Sequence, residues 1–316
     1  MAQNILDPII LCFVLGLGAG VFRSNLRIPE AIYEMLSLYL LLAIGFKGGI
    51  CLAEVDMGRA WLPLLSPLIV GALIPLVAYP ILRLGGRLSV ADSAALATHH
   101  GSTSAVTFAI VLEFLNARHV LYEEYAQVML VLMEFPAILI GILIARLRMK
   151  TGSLALGKVF HEVFFGKSIY LLVGGLLIGL LADPARLGPI KLVFIDPFKG
   201  LLALFLLEMG IITSHRLKDL RKVGPFLVAF GVGMPILSAV LGAVIGKWVG
   251  LSFGGTLVLA TLAASASYIA APAAIRIAIP EANPTLYLTS ALGITFPFNI
   301  TFGIPLYYRL VEMIML

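Results

Sequence analysis

The sequence predicts an all-α integral membrane protein of ten transmembrane helices, arranged as two inverted five-helix repeats. Mean hydropathy is +1.05, and only 12% of the 316 residues are charged, against about 25% in soluble domains. The apolar residues form long continuous runs rather than the alternating segments of a membrane barrel. One hydroxyl-rich segment inside such a run occurs twice at a fixed distance, which is typical of carriers built from two repeats.

Each membrane span needs about 20 apolar residues. The sequence predicts spans at residues 5–22, 33–52, 61–83, 89–116, 124–147, 167–183, 196–214, 224–249, 252–279 and 284–310. Prolines interrupt both the third and the eighth span, and Glu134-Phe135-Pro136 in the fifth corresponds to Thr295-Phe296-Pro297 in the tenth. Each repeat thus has five spans. An odd number of spans puts the two ends of a repeat on opposite sides of the membrane, so the second repeat must be inverted relative to the first.

These spans divide the chain into a first repeat at 1–147, a short linker at 148–166 and a second repeat at 167–316. The loops on one side hold fourteen of the 22 lysines and arginines, and those on the other side hold eight. The richer side is expected to be cytoplasmic, which places the linker in the cytoplasm and both termini in the periplasm. The first apolar run has Asp7 beside it and no basic flank before it, so we interpret it as a mature span rather than a cleaved signal.

The repeated segment runs from Leu88 to Phe108 and returns as Leu251 to Pro272, so that equivalent positions differ by 163 in number. Leu96-Ala97-Thr98 corresponds to Leu259-Ala260-Thr261, and the serine pair of the first copy corresponds to that of the second. Gly101 can give the backbone freedom for a break, and the hydroxyl residues that follow it are good N-caps for a second half-helix. Pro272 is placed where an early helical turn tolerates proline.

Two broken helices of this kind predict an anion site near the membrane midplane. Backbone groups released by a break cannot face lipid, and a helix N-terminus offers N–H groups and partial positive charge. The alternative for each single serine is close helix packing by small residues. The residues expected to bind the anion are Gly101, Ser102, Thr103, Ser104, Ser265, Ala266 and Ser267.

Oxygen-bearing side chains in the predicted spans indicate a site for a cation such as sodium. Glu134 lies mid-span as a cation ligand or as a partner of released N–H groups, and Thr295 and Asn299 flank the second Phe-Pro pair. Thr98 and Thr261, related by the repeat, are the next candidates. Lys47 and Glu208 hold near-equivalent positions in spans two and seven, where they are either functional or extended towards an interface.

Other functional classes fit less well. An intramembrane hydrolase would pair Ser102 with His99 or His100, but the second copy has Leu262 and Ala263 in place of the histidines. These histidines could titrate, but we expect them to be packed and hydrogen-bonded. No cysteine or carboxylate completes a metal set with them. A channel is a third alternative, and the absence of GxxxxGK[ST] argues against an ATPase. The net charge of +5 indicates membrane orientation rather than nucleic-acid binding.

Five segments carry a resemblance to a known family. They are SLYLLLAIGFKGG from Ser37, HHGSTSAVTF from His99, MEFPA from Met133, ASASYIAAPAAIRIAIPEANP from Ala264 and LGITFPFN from Leu292. They resemble the bacterial sodium-dependent bicarbonate transporters, the SbtA-type carriers of the cyanobacterial carbon-concentrating mechanism. The resemblance implies ten spans as inverted repeats, a homotrimer in the inner membrane, and import of bicarbonate with sodium. It places the anion site between Gly101–Ser104 and Ser265–Ser267.

The resemblance also implies a PII-like trimeric partner on the cytoplasmic face that senses adenine nucleotides. The cyanobacterial members have a longer linker than Arg148 to Gly166 here, which leaves open whether such a partner controls this protein.

Taken with the resemblance, the sequence predicts a carrier and not an enzyme, with sodium as the coupling ion and no other cofactor. A symporter of another small anion, such as sulfate or a short carboxylate, is the alternative, because helix N-termini recognise negative charge rather than bicarbonate itself.

Overall fold

The computed structural model describes residues 7–53, 55, 57–149, 161, 165–183 and 187–316. The structure is 82% helix, and no strand occurs in these residues. The all-α prediction is therefore confirmed. Most of the predicted linker, 148–166, lies outside the described residues, and the division of the chain into 1–147 and 167–316 stays a prediction.

The described residues of the first half form six helices. Asp7 caps the first of them by accepting a hydrogen bond from the Ile9 N–H at 2.9 Å. A π-helical turn at Ile81–Gly85 extends the third helix. The helices are α1 (Pro8–Val21), α2 (Glu30–Leu52), α3 (Met57–Pro80), α4 (Val90–Gly101), α5 (Ala105–Asn116) and α6 (Ala126–Met149).

The second half begins with α7 (Lys167–Leu181), α8 (Leu187–Phe194), α9 (Phe198–Leu217), α10 (Leu220–Trp248), α11 (Phe253–Ala263) and α12 (Ala270–Ala278). A last helical run follows, made of α13 (Pro284–Leu288), α14 (Phe296–Phe298) and α15 (Ile304–Met315), joined by π-helical turns at Thr289–Thr295 and Asn299–Gly303. Helix α8 was not predicted from the sequence, because its eight residues are too few for a membrane span.

Among the described residues, four helices are long and apolar enough to cross a membrane: Glu30–Leu52, Ala60–Gly85, Ala126–Met149 and Val223–Trp248. Three shorter apolar helices are Pro8–Val21, Ile169–Leu181 and Phe253–Ala263. Predicted spans four and nine are each divided into two helices, so neither piece reaches the length of a full span. The number of ten spans is therefore still a prediction.

Helix positions in the second half follow those in the first. Ala60–Gly85 and Val223–Trp248 are 163 positions apart at both ends, as are the first residues of α4 and α11, Val90 and Phe253. The packing follows the same pattern, because α1 packs along α9 while α2 packs along α7. These correspondences support a repeat, and the inversion of the second copy remains a prediction.

Glycines bring these helix pairs into backbone contact. A Cβ on Gly49 of α2 would lie 2.0 Å from the Leu176 carbonyl oxygen, and one on Gly179 of α7 would lie 2.2 Å from the Phe46 carbonyl oxygen. In the other pair, a Cβ on Gly210 would lie 2.2 Å from the Phe13 carbonyl oxygen. Gly179 and Gly175, four positions apart on α7, both contact the backbone of α2. Small residues at this spacing are a common basis for close helix packing in membranes. These contacts fix α1, α2, α7 and α9 in two tight pairs.

The broken helices pack in a different set of helices. In the first half α4 packs against α3 and α6, and in the second half α11 packs against α10 and α15. Thr98 of α4 lies against Gly141 of α6, where a Cβ would be 1.8 Å from the threonine hydroxyl oxygen. This arrangement holds the ends of α4 and α11 deep in the protein, where Ser102, Ser104, Ser265 and Ser267 are all buried.

Candidate functional site

The first break separates α4 from α5 at Ser102–Ser104. Ser102 and Ser104 have extended backbones, with φ of −88° and −116°. The Ser104 hydroxyl accepts a hydrogen bond from the Thr107 N–H at 3.2 Å, so Ser104 is the N-cap of α5. The expectation that this segment caps a second half-helix is confirmed for Ser104. Ser102 instead ends α4, since its N–H donates to the Thr98 carbonyl at 3.1 Å.

Gly101 has a different role from the one that its sequence position suggested. It is the last residue of α4, and it is not among the residues with a positive φ. A Cβ at Gly101 would lie 2.6 Å from Cγ of Pro75 and 2.9 Å from Cβ of Ala137. Glycine is therefore required here for close packing of α4 between α3 and α6. The expectation of special backbone freedom at this position is wrong.

The second break is longer than expected, because α11 ends at Ala263 and α12 begins only at Ala270. The Ser265 hydroxyl donates to the Leu262 carbonyl at 2.7 Å. The Ser267 hydroxyl accepts from the Ala271 N–H at 3.2 Å, as Ser104 does from the start of α5. Pro272 lies in the first turn of α12, where its lack of an N–H costs no helical hydrogen bond.

The two breaks meet in direct contact. The Ser104 N–H donates to the Ser265 hydroxyl at 3.1 Å, and the Ser267 N–H donates to the His99 carbonyl at 2.8 Å. The Ser104 hydroxyl also donates to the Tyr268 hydroxyl at 3.3 Å. Residues more than 160 positions apart therefore satisfy each other's backbone groups, as the interior of a membrane protein requires.

Several hydroxyls around this crossing have no partner. The hydroxyl oxygens of Ser102, Thr103 and Thr261 are buried and make no hydrogen bond with any described residue. Ser102 and Thr261 are 0% exposed. Leaving a buried polar group unsatisfied costs about 1–3 kcal/mol. Buried hydroxyls that lack a partner among the described residues are therefore an unusual feature, which a bound polar ligand would explain.

A small cavity of about 10 Å³ lies at the crossing. Glu134 of α6 lines it and is 5% exposed. Tyr268, which the sequence did not single out, lines it too; its position directly after the repeated serines was the available signal. The lining residues are Leu41, Thr103, Ser104, Ala105, Glu134, Ser267, Tyr268 and Ile269. The cavity has about the volume of one water molecule.

Asn299, a cation candidate, contacts the second break. Its side-chain N–H donates to the Ala264 carbonyl at 2.8 Å, and its side-chain oxygen accepts from the Tyr307 hydroxyl at 2.6 Å. Tyr307 lies eight positions later in the last helical run, and nothing in its local sequence indicated this role. The amide is held at both ends, with its nitrogen on the second break and its oxygen on Tyr307.

The other cation candidates have separate surroundings. The Thr295 hydroxyl donates to the Gly231 carbonyl at 2.7 Å, and the Thr98 hydroxyl donates to the Ala94 carbonyl at 2.7 Å. Thr261 lies on α11 just before the break, and Glu134 faces the cavity at the crossing. Asn299, Thr261 and Glu134 therefore lie in the region of the breaks. Thr295 is instead bonded to α10, and Thr98 is bonded within its own helix, α4.

Both histidines of α4 are buried and hydrogen-bonded, as expected. Nδ1 of His99 lies 2.7 Å from the Ala95 carbonyl oxygen, and its ring stacks on Tyr287 with centroids 4.4 Å apart. Nε2 of His100 lies 3.0 Å from the hydroxyl of Ser290, a partner that the sequence did not indicate. Among the described residues, the Ser102 hydroxyl makes no hydrogen bond to either ring.

Comparison with protein families gives one result that covers nearly the whole chain. The model of the Na⁺-dependent bicarbonate transporter superfamily matches residues 8–312. A search of curated proteins finds no match. The match includes both breaks, Glu134 and the last helical run, and it agrees with an all-helical structure whose longest helices are apolar. The chain belongs to the Na⁺-dependent bicarbonate transporter superfamily.

Proposed function

We propose that this protein is a symporter that imports bicarbonate together with sodium across the bacterial inner membrane. The observation that carries the proposal is the crossing of the two breaks, where the Ser102 and Thr103 hydroxyls are buried without partners among the described residues. Membership of the superfamily supports the substrate and the coupling ion at the level of the family. The protein acts by secondary active transport, and we assign it no catalytic residue.

The anion binds between the first turns of α5 and α12. The N–H groups of Ala105 and Val106 have no partner inside a helix, as at every helix N-terminus, and they add to the partial positive charge there. The unpartnered hydroxyls of Ser102 and Thr103 donate to the anion from one break. The second break contributes the backbone and hydroxyl groups of Ser265, Ala266 and Ser267. Gly101 allows α4 to pack closely between α3 and α6, which sets the position of the first break.

Bicarbonate is larger than the cavity of about 10 Å³ at the crossing. Anion binding therefore requires the two breaks to move apart, which exchanges the hydrogen bonds between Ser104, Ser265, Ser267 and His99 for bonds to the anion. Such a movement fits a carrier that opens alternately to the two sides around a fixed site. It does not fit a permanently open channel.

Sodium binds near the second break. Asn299 is the principal ligand, because its amide is fixed by Ala264 and Tyr307 and is fully buried next to the second break. Thr261, with an unpartnered hydroxyl, and Glu134 complete the nearest set, and Thr295 and Thr98 supply further oxygens. Sodium is a transported substrate here, and its entry down a gradient drives the anion.

Asn299→Ala should weaken sodium activation more than bicarbonate affinity at saturating sodium. Loss of one ligand oxygen and of the hydrogen bond to Ala264 should raise the sodium concentration for half-maximal uptake about tenfold. The matched control is Thr301→Ala. It removes a hydroxyl from the same helical run, and that hydroxyl donates to the Pro297 carbonyl at 2.6 Å. Parental sodium dependence in Asn299→Ala, Thr261→Val and Glu134→Gln alike would place the cation elsewhere.

The proposal includes an architecture. Ten spans form two inverted repeats, 1–147 and 167–316, with a cytoplasmic linker between them and both termini in the periplasm, as the distribution of basic residues suggests. The carrier is a homotrimer in lipid, and a PII-like regulator is a candidate partner at its cytoplasmic face.

In intact cells, a cysteine in place of exposed Lys218 should resist an impermeant thiol reagent, whereas one in place of exposed Ala117 should react. The reverse pattern would overturn this orientation.

The direct test is uptake of labelled bicarbonate by proteoliposomes containing the purified protein. Uptake should saturate with bicarbonate and require an inward sodium gradient, and a potassium gradient of equal size should not replace it. Unlabelled sulfate and a short carboxylate such as acetate serve as competitors. Uptake that is independent of sodium, or that prefers one of those competitors, would contradict the proposal.

A further inference from the structure

A second cavity, with charged and polar side chains in part of its wall, lies apart from the two breaks. It has a volume of about 310 Å³ and is enclosed by α2, α5, the start of α6 and the segment that joins α8 to α9. At its solvent end, the Lys199 ammonium pairs with the Glu113 carboxylate at 2.5 Å, and the Lys199 side chain is 64% exposed. The polar residues that line the cavity are Lys47, Glu113, Asn116, Gln127, Asp196 and Lys199.

Lys47 lines this cavity and has no ion-pair partner among the described residues. It lies on α2, a helix long and apolar enough to cross a membrane, and its side chain is only partly exposed. Over the described part of the chain it pairs with no carboxylate, whereas Glu113 is matched by Lys199 and Asp196 is exposed. An ammonium group within a membrane helix is expensive and commonly marks an ion pathway.

Gln127, at the start of α6, provides a second and independent observation. It is 3% exposed, and its side-chain oxygen makes no hydrogen bond to any described residue. Its position is fixed by Gly48, the residue after Lys47, where a Cβ would lie 2.5 Å from Cβ of Gln127. Within the described part of the chain, the cavity thus contains a lysine without an ion pair and a buried amide oxygen without a partner. Together they suit a ligand with negative charge and hydrogen-bonding oxygens.

The cavity leads towards the breaks. It shares Ile44 and Ala109 with a smaller cavity, which is also lined by Leu41, Ala105 and Ile269. Those last three residues in turn line the cavity at the crossing of the breaks. One face of α5 therefore borders all three spaces, from Asn116 at the outer end to Ala105 beside Ser104.

We propose that this outer cavity is a second binding site for a small oxyanion, occupied by bicarbonate before it reaches the breaks. The Lys47 ammonium supplies the charge and donates to an oxygen of the anion. The Gln127 amide oxygen accepts from the hydroxyl of bicarbonate, and its N–H group donates to another oxygen. This inference rests on the proposed import of bicarbonate, and it adds a site outside the broken helices.

Transport kinetics test the role of Lys47. Lys47→Met should raise KM for bicarbonate about tenfold, as expected for loss of one charged hydrogen bond, with the maximal rate and the sodium dependence essentially those of the parent. Lys47→Arg should restore most of the affinity. Lys191→Met, which removes an exposed lysine of α8 that does not line the cavity, is the matched control. Parental KM in both Lys47→Met and Gln127→Leu would overturn the proposal.

A binding measurement separates this site from the one at the breaks. Ile195 lies in the cavity wall, so Ile195→Cys, in a chain whose Cys12 and Cys51 are replaced by alanine, places a single thiol there. Bicarbonate should slow the reaction of this thiol with a maleimide, and chloride at equal ionic strength should slow it much less. The protection should persist when Ser102→Leu blocks the breaks, and it should disappear with Lys47→Met.

The two failures are therefore distinguishable. A parent chain that imports no bicarbonate contradicts the proposed function. Normal import, combined with no protection of the thiol in Ile195→Cys and an unchanged KM in Gln127→Leu, overturns the second site alone. Gln127→Leu and the protection measurement decide the question even where Lys47→Met fails to assemble.

Discussion

Ser102→Leu is expected to abolish sodium-driven bicarbonate uptake while the protein still inserts and assembles. Ser102 is 0% exposed and lies in the first break, directly before Thr103 and Ser104, which line a cavity of about 10 Å³. A leucine side chain at this position occupies the space that the anion needs and removes a hydroxyl that has no partner in the described part of the protein. Uptake by proteoliposomes is the measurement, with size-exclusion chromatography to verify assembly.

Alanine substitutions at the repeated serines give a finer comparison. Ser102→Ala removes an unpartnered hydroxyl, so it should weaken bicarbonate binding about tenfold to a hundredfold without destabilising the protein. Ser265→Ala also removes the acceptor for the Ser104 N–H and the donor to the Leu262 carbonyl, so it should reduce both binding and stability. If both alanine variants and Ser102→Leu transport like the parent, the anion does not bind at the breaks and the serines are packing residues.

Gly179→Ala is the second substitution with a large expected effect. Its Cβ would lie 2.2 Å from the Phe46 carbonyl oxygen and 2.9 Å from the Ile50 nitrogen, so α7 must move away from α2. Overpacking of this kind lowers the free energy of unfolding by about 1–3 kcal/mol. Moving the two helices apart would also break the other close contacts that glycines make between α2 and α7. Thermal unfolding followed by circular dichroism should show a lower midpoint.

Gly174→Ala is the matched control on the same helix. A Cβ there has no atom within 4 Å, so alanine meets open space and only improves helix propensity, by up to about 1 kcal/mol. Its unfolding midpoint should equal or exceed that of the parent. Equal midpoints for Gly179→Ala and Gly174→Ala would show that close backbone contact between α2 and α7 does not stabilise the protein.

The helical membrane class and the positions of both breaks could be predicted from the sequence, because each is encoded locally. Long apolar runs are visible without any contact, and a serine that caps a helix bonds to a residue three or four positions away, as Ser104 does to Thr107. Equal spacing of the two copies was also a property of the amino-acid order alone. The family resemblance and the packed state of His99 and His100 followed from the same residues.

The division of roles between the two breaks depended on contacts that form only in the folded chain. The Ser265 hydroxyl is used by the Ser104 N–H, 161 positions away, whereas Ser102, its equivalent, has no partner among the described residues. Tyr268 and Tyr307 joined the site, and Gly101 proved to be a packing residue, for the same reason. Hydrogen bonding and steric fit at this crossing depend on which side chains meet in space, and two equivalent sequence positions need not meet equivalent neighbours.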